Sequence, residues 1–312
     1  MLRTMCGSVI RCVVPAIDAR RVSRWSFFSP RSSSSRIRDV RVHASRPWWE
    51  SLPLPDRVKQ GAKEIEYFGG SPLQRVLPWM SPPKATLPGR PDPRDKEKSL
   101  VLFDFTAGSP DADPDRFSRV WGELNDVVMG GRSEAAATVI TIPDDEGGKC
   151  AKLSGVVEGD GGGFVSMRTR DFVTPLDLGG YDGVKMRVRG DGRRFKLIIR
   201  DVEDFFGLSY HASFDTVEGQ WEDVEFLFEE DFVPVMRGDR VKRGESEYRD
   251  FRSNRIFSFQ VMMSKYEMGM SELNPTFASG PVSLEIASIT AFKRELAVVR
   301  KADSGGAERD TR

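Results

Sequence analysis

From Ser99 to Phe292 the chain is written in short apolar runs that alternate with polar residues and break at Gly, Asp or Pro roughly every ten positions. A period of two sends successive side chains to opposite faces of an extended strand, and the breaks carry turn chemistry. SLVLFDF (99–105), ATVITIP (137–143), KLSGVVE (152–158), GFVSMRT (163–169), WEDVEFLFEED (221–231), RIFSFQVMMS (255–264) and the closing run from Val282 to Phe292 all read as strands or their ends. A polar loop is expected through Asp115 and a charged, loop-like stretch over 231–255. No long helical pattern interrupts the series. Eight or more short strands with regular turns predict an all-β sandwich.

The clearest local pattern is a hairpin from Val184 to Arg200. Val184, Met186 and Val188 alternate with Lys185, Arg187 and Arg189; GDG (190–192) turns the chain; Phe195, Leu197 and Ile199 follow, with Arg194 and Lys196 between them. One face is core, and the other gathers cations from two strands. Like charges across a ladder destabilise it. A neighbouring acidic strand, with Glu222, Asp223 and Glu225, would neutralise them. Alternatively, Arg187 and Arg194 mark a basic face that docks an acidic protein or lipid headgroups.

The flanks differ from the body. Residues 1–46 hold ten arginines, no lysine, the acids Asp18 and Asp39, and the run Ser32 to Ser35. That is transit-peptide composition. The arginine-rich start favours a mitochondrial address; VRVHAS before Arg46 would suit a plastid one. Of the chain's 47 basic and 47 acidic residues, 37 and 45 lie beyond Arg46, so the body is mildly acidic. Nucleic acid is not an expected partner. Residues 47–98 form a proline-rich arm with a short helix expected from Asp56 to Tyr67. Its Trp48, Trp49, Phe68 and Trp79 are expected to lie on the domain or on a partner. The sandwich is assigned to 99–293, and 294–312 to a charged, flexible tail. With Cys6 and Cys12 removed, Cys150 stands alone as a buried, inert thiol. No apolar run reaches the length of a membrane span, so membrane contact is expected to be peripheral at most.

The most distinctive stretch is WGELNDVVMGGRS, residues 121–133. Asn125-Asp126 suits a turn, Gly130-Gly131 permits positive φ or close approach of another segment, and Val127 to Met129 reads as extended. A tight structural corner and an exposed contact surface both remain open on this chemistry. WGELNDVVMGGRSEA resembles the signature of the complex I intermediate-associated protein 30 family. FVSMRT after Gly161 to Gly163, YDGVKMRVRGDGRRFKLIIRD (181–201) and GPVSLEIASITAF (280–292) agree with it in order. The resemblance implies a β-sandwich of the galactose-binding-domain-like, jelly-roll type. It also implies a chaperone-like assembly factor for mitochondrial respiratory complex I (NADH:ubiquinone oxidoreductase). Such a protein would work on the matrix side of the inner membrane, bind folding intermediates of the complex, and have subunits and other assembly factors as partners. The residues matching its blocks are Trp121, Asn125, Asp126, Gly130, Gly131 and Ser133, with Gly163, Phe164 and Ser166.

Catalysis finds little support. His211 in LSYHASF has no second histidine or nucleophile elbow beside it. Asp201, Glu203 and Asp204, or Asp126, could form an acid–base pair, but a solvated loop after Arg200 explains the first three as well. Gly159 to Gly163 lacks the strand-to-helix setting of a phosphate cradle. A non-enzymatic protein with no cofactor or metal is expected. The alternatives are a plastid factor for photosystem biogenesis, or a carbohydrate-binding module using Trp121, Tyr181, Tyr210 and Trp221.

Overall fold

A computed structural model describes residues 84–87, 98–142, 148–270 and 272–294. The chain divides into residues 1–46 and 47–312, and every described residue belongs to the second part. The expectations for the transit segment, the helix at 56–67, the aromatics Trp48, Trp49, Phe68 and Trp79, and the tail after Arg294 lie outside the described residues.

The strands are β1 (Ser99–Asp104), β2 (Trp121–Glu123), β3 (Glu134–Thr141), β4 (Lys149–Val157), β5 (Phe164–Thr169), β6 (Gly183–Arg189), β7 (Arg194–Arg200), β8 (Ser209–Asp215), β9 (Trp221–Leu227), β10 (Val233–Met236), β11 (Asp239–Arg240), β12 (Ser258–Ser264) and β13 (Gly280–Phe292). They form two antiparallel sheets. The first runs β3-β4-β13-β6-β9, with β1 also on β13; the second runs β11-β10-β8-β7-β12-β5-β2. β13 is the spine of the first sheet: Gly280 to Ile286 pairs with β4, and the half after Ala287 pairs with β1. The register shift against β6 between Ile286 and Ser288 lets one long strand serve both neighbours.

The alternation read from the sequence fills the space between the sheets. Leu153, Val184, Met186, Val188, Leu284 and Ile286 meet Val165, Met167, Leu197, Ile199, Phe259 and Val261, all fully buried. Each such side chain contributes about 1.5–3 kcal/mol on burial. Phe103, Phe105, Phe117 and Trp121 pack together, with ring centroids 5.1 to 6.4 Å apart. Cys150 is also fully buried, and burial pushes its thiol up to about 12. Ala85 pairs with Phe172, its N–H donating to Asp171 at 2.9 Å, so this part of the arm lies on the domain.

Four local expectations are corrected. The polar stretch after β1 contains helix α1 (Pro114–Val120), because Asp113 caps it through Arg116 N–H at 2.9 Å and Pro114 fits its first turn. Asp126 to Met129 is a 3-10 turn rather than extended. The 231–255 stretch carries β10 and β11. The fourth is the largest: β6 and β7 are not a hairpin but lie in different sheets. Among the described residues no helix is long and apolar enough to cross a membrane.

Candidate functional site

The signature stretch builds its corner from the chain outwards. The 3-10 turn ends at Gly130, which takes the left-handed conformation at φ 87°, and Gly131 N–H closes the turn on Asp126 O at 2.9 Å. This folds the backbone over the Asp126 side chain, which is 0% exposed. Its carboxylate accepts from Ser133 N–H at 2.8 Å, Ser133 O–H at 2.7 Å, Gly163 N–H at 2.6 Å and Phe164 N–H at 3.3 Å. Ser133 Oγ in turn accepts from Glu158 N–H at 2.9 Å.

Glycine is required here by space. A Cβ on Gly131 would stand 2.2 Å from Asp126 Cγ, and one on Gly162 would stand 2.6 Å from Asp126 Cβ. Two glycine stretches thus close on one carboxylate. Asn125 Nδ2 donates to Ala135 O at 2.9 Å, and Leu124 N–H donates to Ser166 O at 2.9 Å. Ser166 Oγ accepts from Gln260 Nε2 at 2.9 Å. Trp121 is the apolar root of the corner, edge-on to Phe103 at 5.1 Å.

Nine of the residues singled out in the sequence therefore meet at or beside one knot that ties β2, β3, β5 and the 158–164 loop. Most of them face inward. The exposed part is the tip: Met129, which is 68% exposed, with Gly130 and Arg132. Sequence reasoning passed over Met129 and Arg132, since only the burial of Asp126 reveals which residues the turn displays.

Arg187 and Arg194 do not join this corner or each other. The basic face read from the hairpin is split between the sheets, and each part is answered locally. On the first sheet Lys185, Arg187 and Arg189 stand opposite Glu225, Asp223 and Trp221 of β9. Arg187 lies 3.4 Å from Asp223 and Lys185 3.9 Å from Glu225, and Arg189 covers the Trp221 ring at 5.0 Å. Glu285 takes Arg189 at 2.6 Å and Lys152 at 3.1 Å. On the second sheet Arg194 is held by Asp215 at 2.7 Å and Glu267 at 2.9 Å. Those hydrogen bonds raise the Arg194 pKa and lower that of Asp215.

The second sheet also carries a buried polar layer without a sequence signal. Burial brings Lys196 down to about 8, though its ammonium donates to Tyr266 O at 2.8 Å and Glu267 O at 2.6 Å. Burial, with Arg168 nearby, brings Arg200 down to about 9. Arg168 lies 2.8 Å from Asp171, yet desolvation outweighs the pairing for both, lowering the one and raising the other. Burial beside Lys196 and Arg200 holds the His211 pKa well below its usual value, so the ring is neutral, with Nε2 on Ser209 Oγ at 2.9 Å.

Each acid considered for hydrolysis has a local partner: Glu203 lies 2.9 Å from Lys84, Asp204 accepts from Phe206 N–H at 3.1 Å, and Asp126 is the buried anchor of the corner. Asp201 is 0% exposed and binds Arg249 at 2.5 Å and Arg252 at 2.9 Å, anchoring the 241–255 strap. Trp121, Tyr181 and Tyr210 are buried, leaving Trp221 as the one half-open ring of the four considered for sugar stacking. Among the described residues no group of three His, Cys, Asp or Glu side chains could hold a metal ion.

Residues 103–286 match the family described as Complex I intermediate-associated protein 30. No curated protein matches the chain. Among solved structures it is similar to a family 11 carbohydrate-binding module of a cellulosomal cellulase of Clostridium thermocellum, at 14% identity and a TM-score of 0.41 over 63% of this chain and 95% of that one. An exo-beta-agarase matches at 13% identity and a TM-score of 0.38, over 63% of this chain and 25% of the agarase. The glycoside hydrolase domain of Endo-D from Streptococcus pneumoniae matches at 10% identity and a TM-score of 0.31, over 56% and 22%.

Proposed function

This chain belongs to the complex I intermediate-associated protein 30 family, a family of assembly factors tied to complex I, and from that membership we propose that it is a non-catalytic assembly factor of mitochondrial respiratory complex I. It works on the matrix side of the inner membrane, holding incompletely assembled subunits through the displayed tip of the signature corner. The observation that carries this reading is the contrast within the corner. Its polar groups are spent on internal hydrogen bonds around a buried Asp126, while a large apolar side chain, Met129, is held out on the 3-10 turn beside Arg132. Met adapts to varied apolar surfaces, which suits a protein whose clients change as assembly proceeds.

The test is affinity purification of the tagged full-length protein from isolated organelles, alongside a Met129→Asp/Arg132→Glu variant of unchanged melting temperature. Complex I subunits should be retained by the wild type and reduced at least fivefold in the variant. Equal retention by both would refute the tip as the contact. Recovery of photosystem proteins instead would overturn the mitochondrial address.

A further inference from the structure

β9 is an open edge of the first sheet. Among the described residues its backbone pairs only with β6, whereas β3, at the opposite edge, is shielded by α1 and β2. Phe228 N–H donates to Asp182 O at 3.0 Å, which fixes the alternation of the β6–β9 ladder. Phe226, Val224 and Glu222 turn their backbone groups toward β6, and Leu227, Glu225, Asp223 and Trp221 turn theirs away. Asp231 takes the Leu227 N–H at 2.7 Å, leaving the outward groups of Trp221, Asp223 and Glu225 without a ladder partner.

The side chains along this edge state what could pair with it. Across the outer face the charges alternate strand by strand: Lys152 on β4, Glu285 on β13, Lys185, Arg187 and Arg189 on β6, then Asp223 and Glu225 on β9. The last two are 50% and 56% exposed and sit 3.4 and 3.9 Å from their partners, so both retain acceptor capacity. On the inner side Val224 and Phe232 are only partly covered. Beyond Leu227 the edge opens into a cleft of about 940 Å³ with Phe228, Phe232 and Phe251 among its walls.

We propose that β9 is a strand-addition site for an extended segment of a partner protein that alternates Lys or Arg with apolar residues. Such a segment supplies main-chain hydrogen bonds to Asp223 and Glu225, places its cations beside their carboxylates, and turns its apolar residues toward Val224 and Phe232. The site is separate from the signature corner and does not depend on it.

The probe is a fluorescent nine-residue peptide of alternating Lys and Val, titrated into the full-length protein at low salt and read by anisotropy. A Glu–Val peptide and a block peptide, with lysines and valines segregated, serve as comparisons. The alternating Lys–Val peptide should bind saturably and at least tenfold more tightly than either. Asp223→Pro, whose lost N–H points away from β6, should abolish binding while leaving the fold intact. Should that variant misfold, Asp223→Lys/Glu225→Lys carries the test and should weaken binding at least tenfold. Hydrogen exchange across 221–227 should slow when peptide is added. Equal binding of the alternating and block peptides would reduce the effect to bulk charge, and binding unchanged in a folded variant would overturn the site.

Discussion

Replacing Asp126 by alanine separates a folding corner from a recognition carboxylate. The carboxylate is fully buried and accepts three hydrogen bonds of 2.8 Å or less, from Ser133 N–H, Ser133 O–H and Gly163 N–H. Hydrogen bonds to a charged acceptor are worth about 1.5–3 kcal/mol each, and a buried donor left without an acceptor costs about 1–3 kcal/mol. Ser133 O–H can rotate to a new acceptor, and water entering the vacated space recovers part of the remainder. A net loss of about 4 kcal/mol follows, and at about 2–4 °C per kcal/mol for a domain of this size the melting temperature should fall by about 8–16 °C. The glycines give an internal control. Gly131→Ala and Gly162→Ala drive a methyl to 2.2 and 2.6 Å from Asp126 atoms and should approach the same loss. Gly130→Ala meets nothing within 4 Å and carries only the strain of φ 87°, about 1–2 kcal/mol. The assay is thermal unfolding of each full-length variant by circular dichroism. An Asp126→Ala protein melting within about 2 °C of the wild type would refute the anchoring role.

Two further outcomes follow from buried charge. The folded-state pKa of His211 is depressed below the unfolded value near 6.5, so as pH falls through 6.5 the unfolded chain gains a proton that the folded chain refuses. Stability should therefore drop by up to about 1.4 kcal/mol per pH unit below 6.5, and denaturant titrations at pH 7.5 and 5.5 should show a smaller drop for His211→Gln; identical drops would sink the assignment. Asp201→Asn should free the strap, because one buried carboxylate holds both Arg249 and Arg252. The two guanidiniums are 34% and 40% exposed, which discounts the loss to about 1–2 kcal/mol, and protease cleavage within 241–255 should accelerate about five- to thirtyfold. Unchanged cleavage would show that the strap is held elsewhere.

Much of the sandwich was legible because half-buried strands write their own period: Val184, Met186 and Val188, or Leu197 and Ile199, can face only one core. α1 carries its own signal in Asp113-Pro114, a cap followed by the residue best suited to a first helical turn, set within a polar composition that fits a loop equally well. β10 and β11 were hidden by their shortness, by Pro234 and by the charges around them. The membership of the signature corner was readable as a block of residues; its geometry was not. An aspartate in an Asn-Asp turn is ordinarily solvated. Nothing local says that Gly131 and Gly162, 31 positions apart, will leave room for the same carboxylate.

The absent hairpin at 184–200 shows where local pattern stops deciding structure. A glycine-rich turn between alternating strands fits a hairpin within one sheet and equally a crossing between two. Here the crossing is selected by partners distant in sequence. A Cβ on Gly190 would stand 2.2 Å from Thr216 Oγ1, so the chain passes hard against the end of β8, and Thr216 Oγ1 donates to Arg193 O at 2.8 Å. Arg193 donates to Ala278 O at 2.9 Å and also to Pro281 O, tying the crossing to the start of β13. β6 is then free to lie between β13 and β9, and β7 between β12 and β8. The cations that a hairpin would have crowded onto one face are thereby distributed: those of β6 meet the acidic edge strand, Arg194 meets Asp215 and Glu267, and Lys196 is buried against backbone carbonyls. The repulsion read from the sequence was thus a sign that the two strands part company, and the acidic strand that relieves it is left as an open edge of the sheet.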